Sequence, residues 1–212
     1  MKLLELHTYP EPVLAKAARQ ITEAEFNGDP LPEYGKSLNS MLEEMATLLY
    51  KTQSGIGLAA PQVGIPVQVA LVDVNRKSMP LVLVNPTITK LELTEQQYQD
   101  GDRVFEEAAK EGCLSVPGVL LNVKRYNKIH VVAQNNEGKK IEFNASGLLA
   151  RAIQHEVDHL SGKLIIHRGN LLGNPKVNKI LSYLQAKHEH HLKLVDKREA
   201  KKKEAKNETS PV

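Results

Sequence analysis

"AIQHEVDHLSG" (residues 152–162) sets His155, Glu156 and His159 in the order His-Glu-x-x-His. On an α-helix, residues i and i+4 lie one turn apart on the same face. Two imidazoles so placed can reach one metal ion, with the intervening glutamate beside it. The surrounding residues read as helix: Ser146 stands where an N-cap starts one and Gly162 where a glycine stops it. Leu149, Ile153, Val157 and Leu160 form a core stripe, and His155 and His159 share a neighbouring face with Leu148 and Ala152. From average residue usage this pattern arises by chance in roughly one chain of this length in a hundred or two. A metal therefore needs a third ligand.

His167 follows soon after, but beyond the Gly162 break, in the apolar, strand-like run "KLIIHRG". His188, His190 and His191 fall in a charged C-terminal stretch that reads as solvent-facing. Cys113 fits best, because "EGCLSVPG" sets it in a Gly/Pro-bounded turn where a thiolate can be aimed. Two imidazoles and one thiolate leave the fourth position of a tetrahedral ion open, which marks a catalytic site and not a closed structural one. Such a donor set suits Fe, Zn, Co and Ni alike. The plain alternative for a lone cysteine is a small buried hydrophobe. As it is the only one, no intramolecular disulfide is possible.

The 212 residues suffice for one domain with a real core and an appendage. A formal charge of +3 is too mild to argue for nucleic acid by itself. No run approaches the ~18 apolar residues of a membrane span, and the N-terminal apolar run is too short for a signal peptide; a cytoplasmic protein is expected. Leu38, Met41, Leu42, Met45, Leu48 and Leu49 predict a helix over roughly 34–52, running into the Gly/Pro-rich loop "SGIGLAAPQVGIP". Residues 67–74 and 81–88 read as strands, 92–110 as an exposed loop turning at Asp100-Gly101. Asn136-Glu137-Gly138 reads as the turn of a hairpin. From Pro175 onward, Val177, Ile180, Leu181, Leu184 and Val195 suggest a third helix with a charged end. The pattern is α+β.

"GIGLAAPQ" (55–62), "EGCLS" (111–115) and "QHEVDH" (154–159) resemble the three signature motifs of peptide deformylases, in the right order. The resemblance covers about residues 1–175, which would be the catalytic domain, with 176–212 as a C-terminal helix and basic tail. It implies mostly antiparallel sheets packed around a central metal-binding helix. It also implies an enzyme that removes the N-formyl group from formyl-methionyl nascent peptides, with Cys113, His155 and His159 holding Fe(II), commonly replaced by Zn(II) or Ni(II) on handling. A metal there lowers the pKa of its water toward 7, and Glu156 serves as general base. The resemblance assigns stabilisation of the oxyanion to the metal, the Leu114 backbone N–H and the Gln62 amide; on its residues alone Gln62 reads as a loop-packing amide. Ile56, Gly57 and Gly112 match positions whose backbone pairs with an extended peptide. Leu148 and Ala152 would line an apolar pocket for methionine. Asp158 and Arg125 match a salt bridge behind the metal site. Some family members carry arginine at the pocket lip where this chain has Leu120, which bears on substrate preference and not on the chemistry. A monomer is expected.

Two rivals come from other classes. A zincin-type peptidase shares His-Glu-x-x-His but usually takes its third ligand downstream, and "HEVDHLSGKLIIH" lacks the metzincin spacing. A metal-stabilised module could instead bind RNA through the tail, where Lys187–Lys206 carries eight Lys/Arg against four acids. The same basic segment makes the ribosome a possible partner of a deformylase.

Overall fold

The structure, a computed structural model, describes residues 4–77, 79–169 and 174–208, with side chains to residue 198. In chain order the elements are α1 (Glu23–Phe26), α2 (Leu38–Lys51), β1 (Gly57–Ala59), β2 (Val69–Val72), β3 (Leu81–Lys90), α3 (Glu95–Gln99), β4 (Glu106–Cys113), β5 (Val116–Tyr126), β6 (Lys128–Gln134), β7 (Lys140–Ser146), α4 (Gly147–Leu160) and α5 (Pro175–Glu208). Short 3-10 turns lie at Pro12–Ala15, Ala60–Val63 and Ile165–His167.

The apolar run at 67–74 lacks strand alternation because β2 is buried on both faces. Val69 and Leu71 pack toward α2, against Met41, Met45 and Leu49. Ala70 and Val72 pack toward α4, against Ala152 and Ile153. The five-stranded sheet runs β1-β2-β3-β6-β7, antiparallel throughout, with α2 on one side and α4 on the other. β3 is bulged between Val84 and Thr87. Pro86 there has no N–H to give the ladder. Asn85, at φ 50°, turns its side chain to the Ile21 backbone and to Gln134.

A separate β4–β5 hairpin carries Cys113 at its tip. Val119, Leu121 and Val123 of β5 join Cys113, Ile165, Val177 and Leu184 in a third apolar cluster, which seats the start of α5. α4 is therefore central: Ala150, Ala152, Ile153, Glu156, Asp158 and His159 are all buried.

Three local expectations are corrected. Residues 92–110 are not one loop: Thr94 and Gln97 form a capping box that opens α3, and 106–110 begin β4. β4 is largely exposed, so its own pattern is weak and its ladder is supplied by β5. The run at 163–169 is a 3-10 turn in which the Leu164 N–H donates to His167 Nδ1 at 3.0 Å, so His167 caps its own turn. Ser146 occupies the N-cap of α4 but makes no side-chain capping bond. Gly162, at φ +69°, ends the helix as expected, and a Cβ there would lie 2.8 Å from the Ala15 backbone.

Candidate metal centre

α4 and the β4–β5 tip bring Cys113, His155 and His159 together, with one ligand atom from each lying within 4.8 Å of the others. Cys113 Sγ is 3.2 Å from His159 Nε2. The His155 and His159 ring centroids are 5.1 Å apart, one helical turn along the same face. The other candidate third ligands stay away: His167 is spent on its turn, and His190 and His191 are exposed on α5.

A carboxylate that the sequence did not single out orients the pair. Glu111 projects from β4 two residues before Cys113, and both side chains are buried. Its Oε2 lies 3.0 Å from His155 Nδ1 and accepts from it, which leaves Nε2 of that ring as the atom able to ligate once its proton gives way to an ion. Glu111 also accepts from Arg125 Nε and Nη2, at 3.1 and 3.0 Å, and from Arg151 Nη1 at 2.7 Å. Arg125 in turn meets Asp158, which Arg168 grips from the other side. Asp158 and Arg125 do form an ion pair, then, within a larger network that includes Glu111 and Arg168. The sequence hid Glu111 because a glutamate in a polar, weakly patterned strand reads as solvated.

The donor set fits a cation. Burial works against charge on His155, yet the Cys113 thiol and Glu111 carboxylate outweigh it and hold the ring at about 10. Burial, reinforced by the His155 charge, pushes His159 well below the usual histidine range, so this ring is neutral and able to ligate. Burial would raise Glu111, but hydrogen bonds from His155 and Arg125 bring it down to about 2. The buried Glu111 carboxylate thus calls for positive charge close to where the Cys113 sulfur and two imidazoles converge, which is what a divalent ion supplies.

The centre opens into a cleft of about 640 Å³. Ile56 and Gly57 line one wall, from the β1 edge; Gly112, Cys113 and Leu114 line the other, from the β4 tip. Leu148 and Ala152 of α4 form the floor with Arg151, whose guanidinium is drawn back to Glu111 and the Val123 and Glu107 carbonyls. Leu120 stands at the lip, 66% exposed. Gln62, in the 3-10 turn 60–63, is 1% exposed. Its Oε1 accepts from the Ala59 N–H at 2.8 Å, and its Nε2 points to Ser115 Oγ at 3.2 Å and Cys113 Sγ at 3.9 Å. Packing alone does not require the amide to face the sulfur. Glu156 is buried beside the histidines, with Oε2 unpartnered among the described residues. Burial pushes its carboxyl up to about 7, against the opposing charges of His155 and Arg125.

Comparison with known proteins agrees with this geometry. The family model described as polypeptide deformylase matches residues 3–175. A peptide deformylase of Thermodesulfovibrio yellowstonii is 39% identical over 171 residues, covering 79% of this chain and 90% of that protein. The solved peptide deformylase of Thermotoga maritima superposes with a TM-score of 0.64 at 34% identity, over 80% of this chain and 99% of the other. That of Synechococcus elongatus, solved with actinonin, gives 0.67 at 34% identity, over 85% of each chain. With three ligand atoms converging in a cleft and these matches spanning the whole catalytic region, the chain belongs to the peptide deformylase family, metal-dependent hydrolases that remove the N-formyl group from peptides.

Proposed function

We propose that this deformylase acts on formyl-methionyl nascent chains with Fe(II) as its native ion, held by Cys113, His155 and His159. The convergence of those three side chains carries the reading. Zn(II), Ni(II) or Co(II) would be accepted by the same donors. An ion held there supplies Lewis acidity toward water and toward the formyl oxygen. Glu156 takes the proton of the attacking water on its carboxylate and delivers it to the departing peptide nitrogen. Gln62 Nε2 and the Leu114 N–H donate to the oxygen on which charge develops. Such a donor is typically worth ~10²–10³ in rate. Ile56, Gly57 and Gly112 offer backbone to an extended peptide, and the methionine side chain lies on Leu148 and Ala152. Asp158 and Arg125 brace the helix from behind.

The test is formate release from formyl-Met-Ala-Ser by protein purified without oxygen, with metal analysis. Glu156→Gln should keep metal and fold while turnover falls below a hundredth of wild type, since an amide accepts no proton. Casein cleavage without formate release would return the zincin reading. Metal-dependent folding without turnover would return the binding module.

We further propose that the basic end of α5 draws the enzyme to ribosomes in the cytoplasm, where it works as a monomer. α5 is 34 residues long, about 50 Å, and among the described residues its last buried side chain is Leu184. Lys187–Lys206 carries net +4, though side chains from residue 199 lie outside the described residues. Affinity for ribosomal RNA should fall steeply with salt. Deleting 187–212 should weaken ribosome co-sedimentation at low salt and leave small-peptide turnover intact. Equal co-sedimentation with and without the segment sinks this part.

A further inference from the structure

Glu156 is a buried carboxylate. It is 4% exposed, and among the described residues its Oε2 has no hydrogen-bond partner. Most buried polar groups are located by their hydrogen bonds; packing against β1 adds a second constraint here. A Cβ built on Gly57 would stand 2.2 Å from Glu156 Oε1, 2.8 Å from Cδ and 2.9 Å from Cγ. The carboxylate rests on a bare Cα of β1.

Glycine at 57 is not required by its φ. Gly57 is absent from the positive-φ glycines and sits in regular antiparallel register opposite Val72. An alanine would adopt this conformation without strain. The atoms it would strike belong to the far end of a flexible side chain, so the fold can absorb the methyl by moving Glu156 alone.

We infer that the missing side chain of Gly57 sets the position of the Glu156 carboxylate, which makes Gly57 a positioning residue for the proton-transfer group. This role rests on Glu156 being the base, and it is separate from any pairing of Gly57 with a peptide. Strand side chains stand perpendicular to the sheet, whereas the groups that pair with a neighbouring chain lie in its plane. The methyl therefore meets Glu156, while the peptide edge stays open.

The experiment is a cycle of Gly57→Ala and Glu156→Ala, assayed for kcat, KM, metal per chain and Tm. Gly57→Ala should keep full metal content, a Tm within a few degrees of wild type and KM within about threefold. Its kcat should fall on the order of 100-fold, the usual cost of moving a catalytic group by ~1 Å. Alanine at 156 removes Cγ, Cδ and Oε1, the three atoms the methyl would strike. The double variant should then match Glu156→Ala alone instead of losing a further hundredfold. Should Gly57→Ala fail to fold, a folded double variant supports the same steric relation. Three outcomes overturn the inference: wild-type kcat in Gly57→Ala, losses that multiply, or a KM effect with kcat unchanged. The reading beneath it fails separately, by full turnover in Glu156→Gln.

Discussion

At the scale of single residues, the ligand His155 depends on a carboxylate delivered by another part of the chain. Glu111 accepts from Nδ1 and so fixes which ring nitrogen faces the centre, and it is itself held by Arg125 and Arg151. Removing such support typically costs ~10–100-fold in metal affinity. Glu111→Gln should therefore weaken metal retention by that factor in competition with a chelator. Asp158→Asn, one ion pair further from the ring, should cost ~10-fold at most. The reverse ranking would show that Asp158 is the main support. The motif around His155 announced the ligands and Glu156, because helical spacing places i and i+4 together whatever the rest of the fold does. Glu111, Arg151, Ser115 and Arg168 were not legible. Their meaning arises only where a strand from one segment meets a helix 40 residues later, a juxtaposition with no local pattern.

Among the elements, α5 has two parts with different consequences. Its first turns bury Val177 and Leu184 in the cluster that contains Cys113, and Gly118 of the cleft wall faces Ile180. Leu184→Ala should cost ~2–5 kcal/mol, in the range for buried leucine truncations, and should loosen metal with it because the Cys113 hairpin shares that packing. Deletion from residue 187 should leave both thermal stability and metal retention within error. A stable, metal-tight Leu184→Ala protein would separate α5 from the centre. Helices α2, α4 and α5 and the β6–β7 hairpin were readable in advance, since each has apolar periodicity or a turn of defined type. β4 was not, because a strand that buries only Glu111 and Cys113 has no alternation to read. α3 did carry a signal, the Thr94-x-x-Gln97 box, which a five-residue helix makes easy to overlook.

For the molecule as a whole, the N-terminal segment is tied together by charges that titrate and bonded toward the sheet through its backbone. Arg19 holds Glu25 Oε1 and Glu33 Oε1, each at 2.7 Å, while its backbone bonds to Pro66 and Gln68. The Arg19 guanidinium keeps both carboxyls below the usual range near 4.5. A carboxyl depressed in the folded state stabilises fully above its unfolded value and loses that contribution as pH falls through the folded one. Glu25 also closes the capping box of α1. Glu25→Gln should cost ~1 kcal/mol at pH 7, about 2–4 °C in Tm, and the gap should shrink below pH 4. A gap constant from pH 7 to pH 3 would show that charge contributes nothing there.

β1 is an outer strand of its sheet and β4 an outer strand of its hairpin, and the cleft lies between them. With a peptide paired along those two borders as proposed, the slot admits a chain only while its leading residues are drawn out straight. Helix–coil relaxation takes ~0.1–1 μs, whereas synthesis adds ~5–20 residues per second. A leading segment that favours helix has therefore coiled long before the next codon is read. It meets the enzyme through its straightened minority alone, and its apparent affinity falls by that fraction. Deformylation rates across a proteome should then track how reluctant each protein's first residues are to coil, as well as which residues they are.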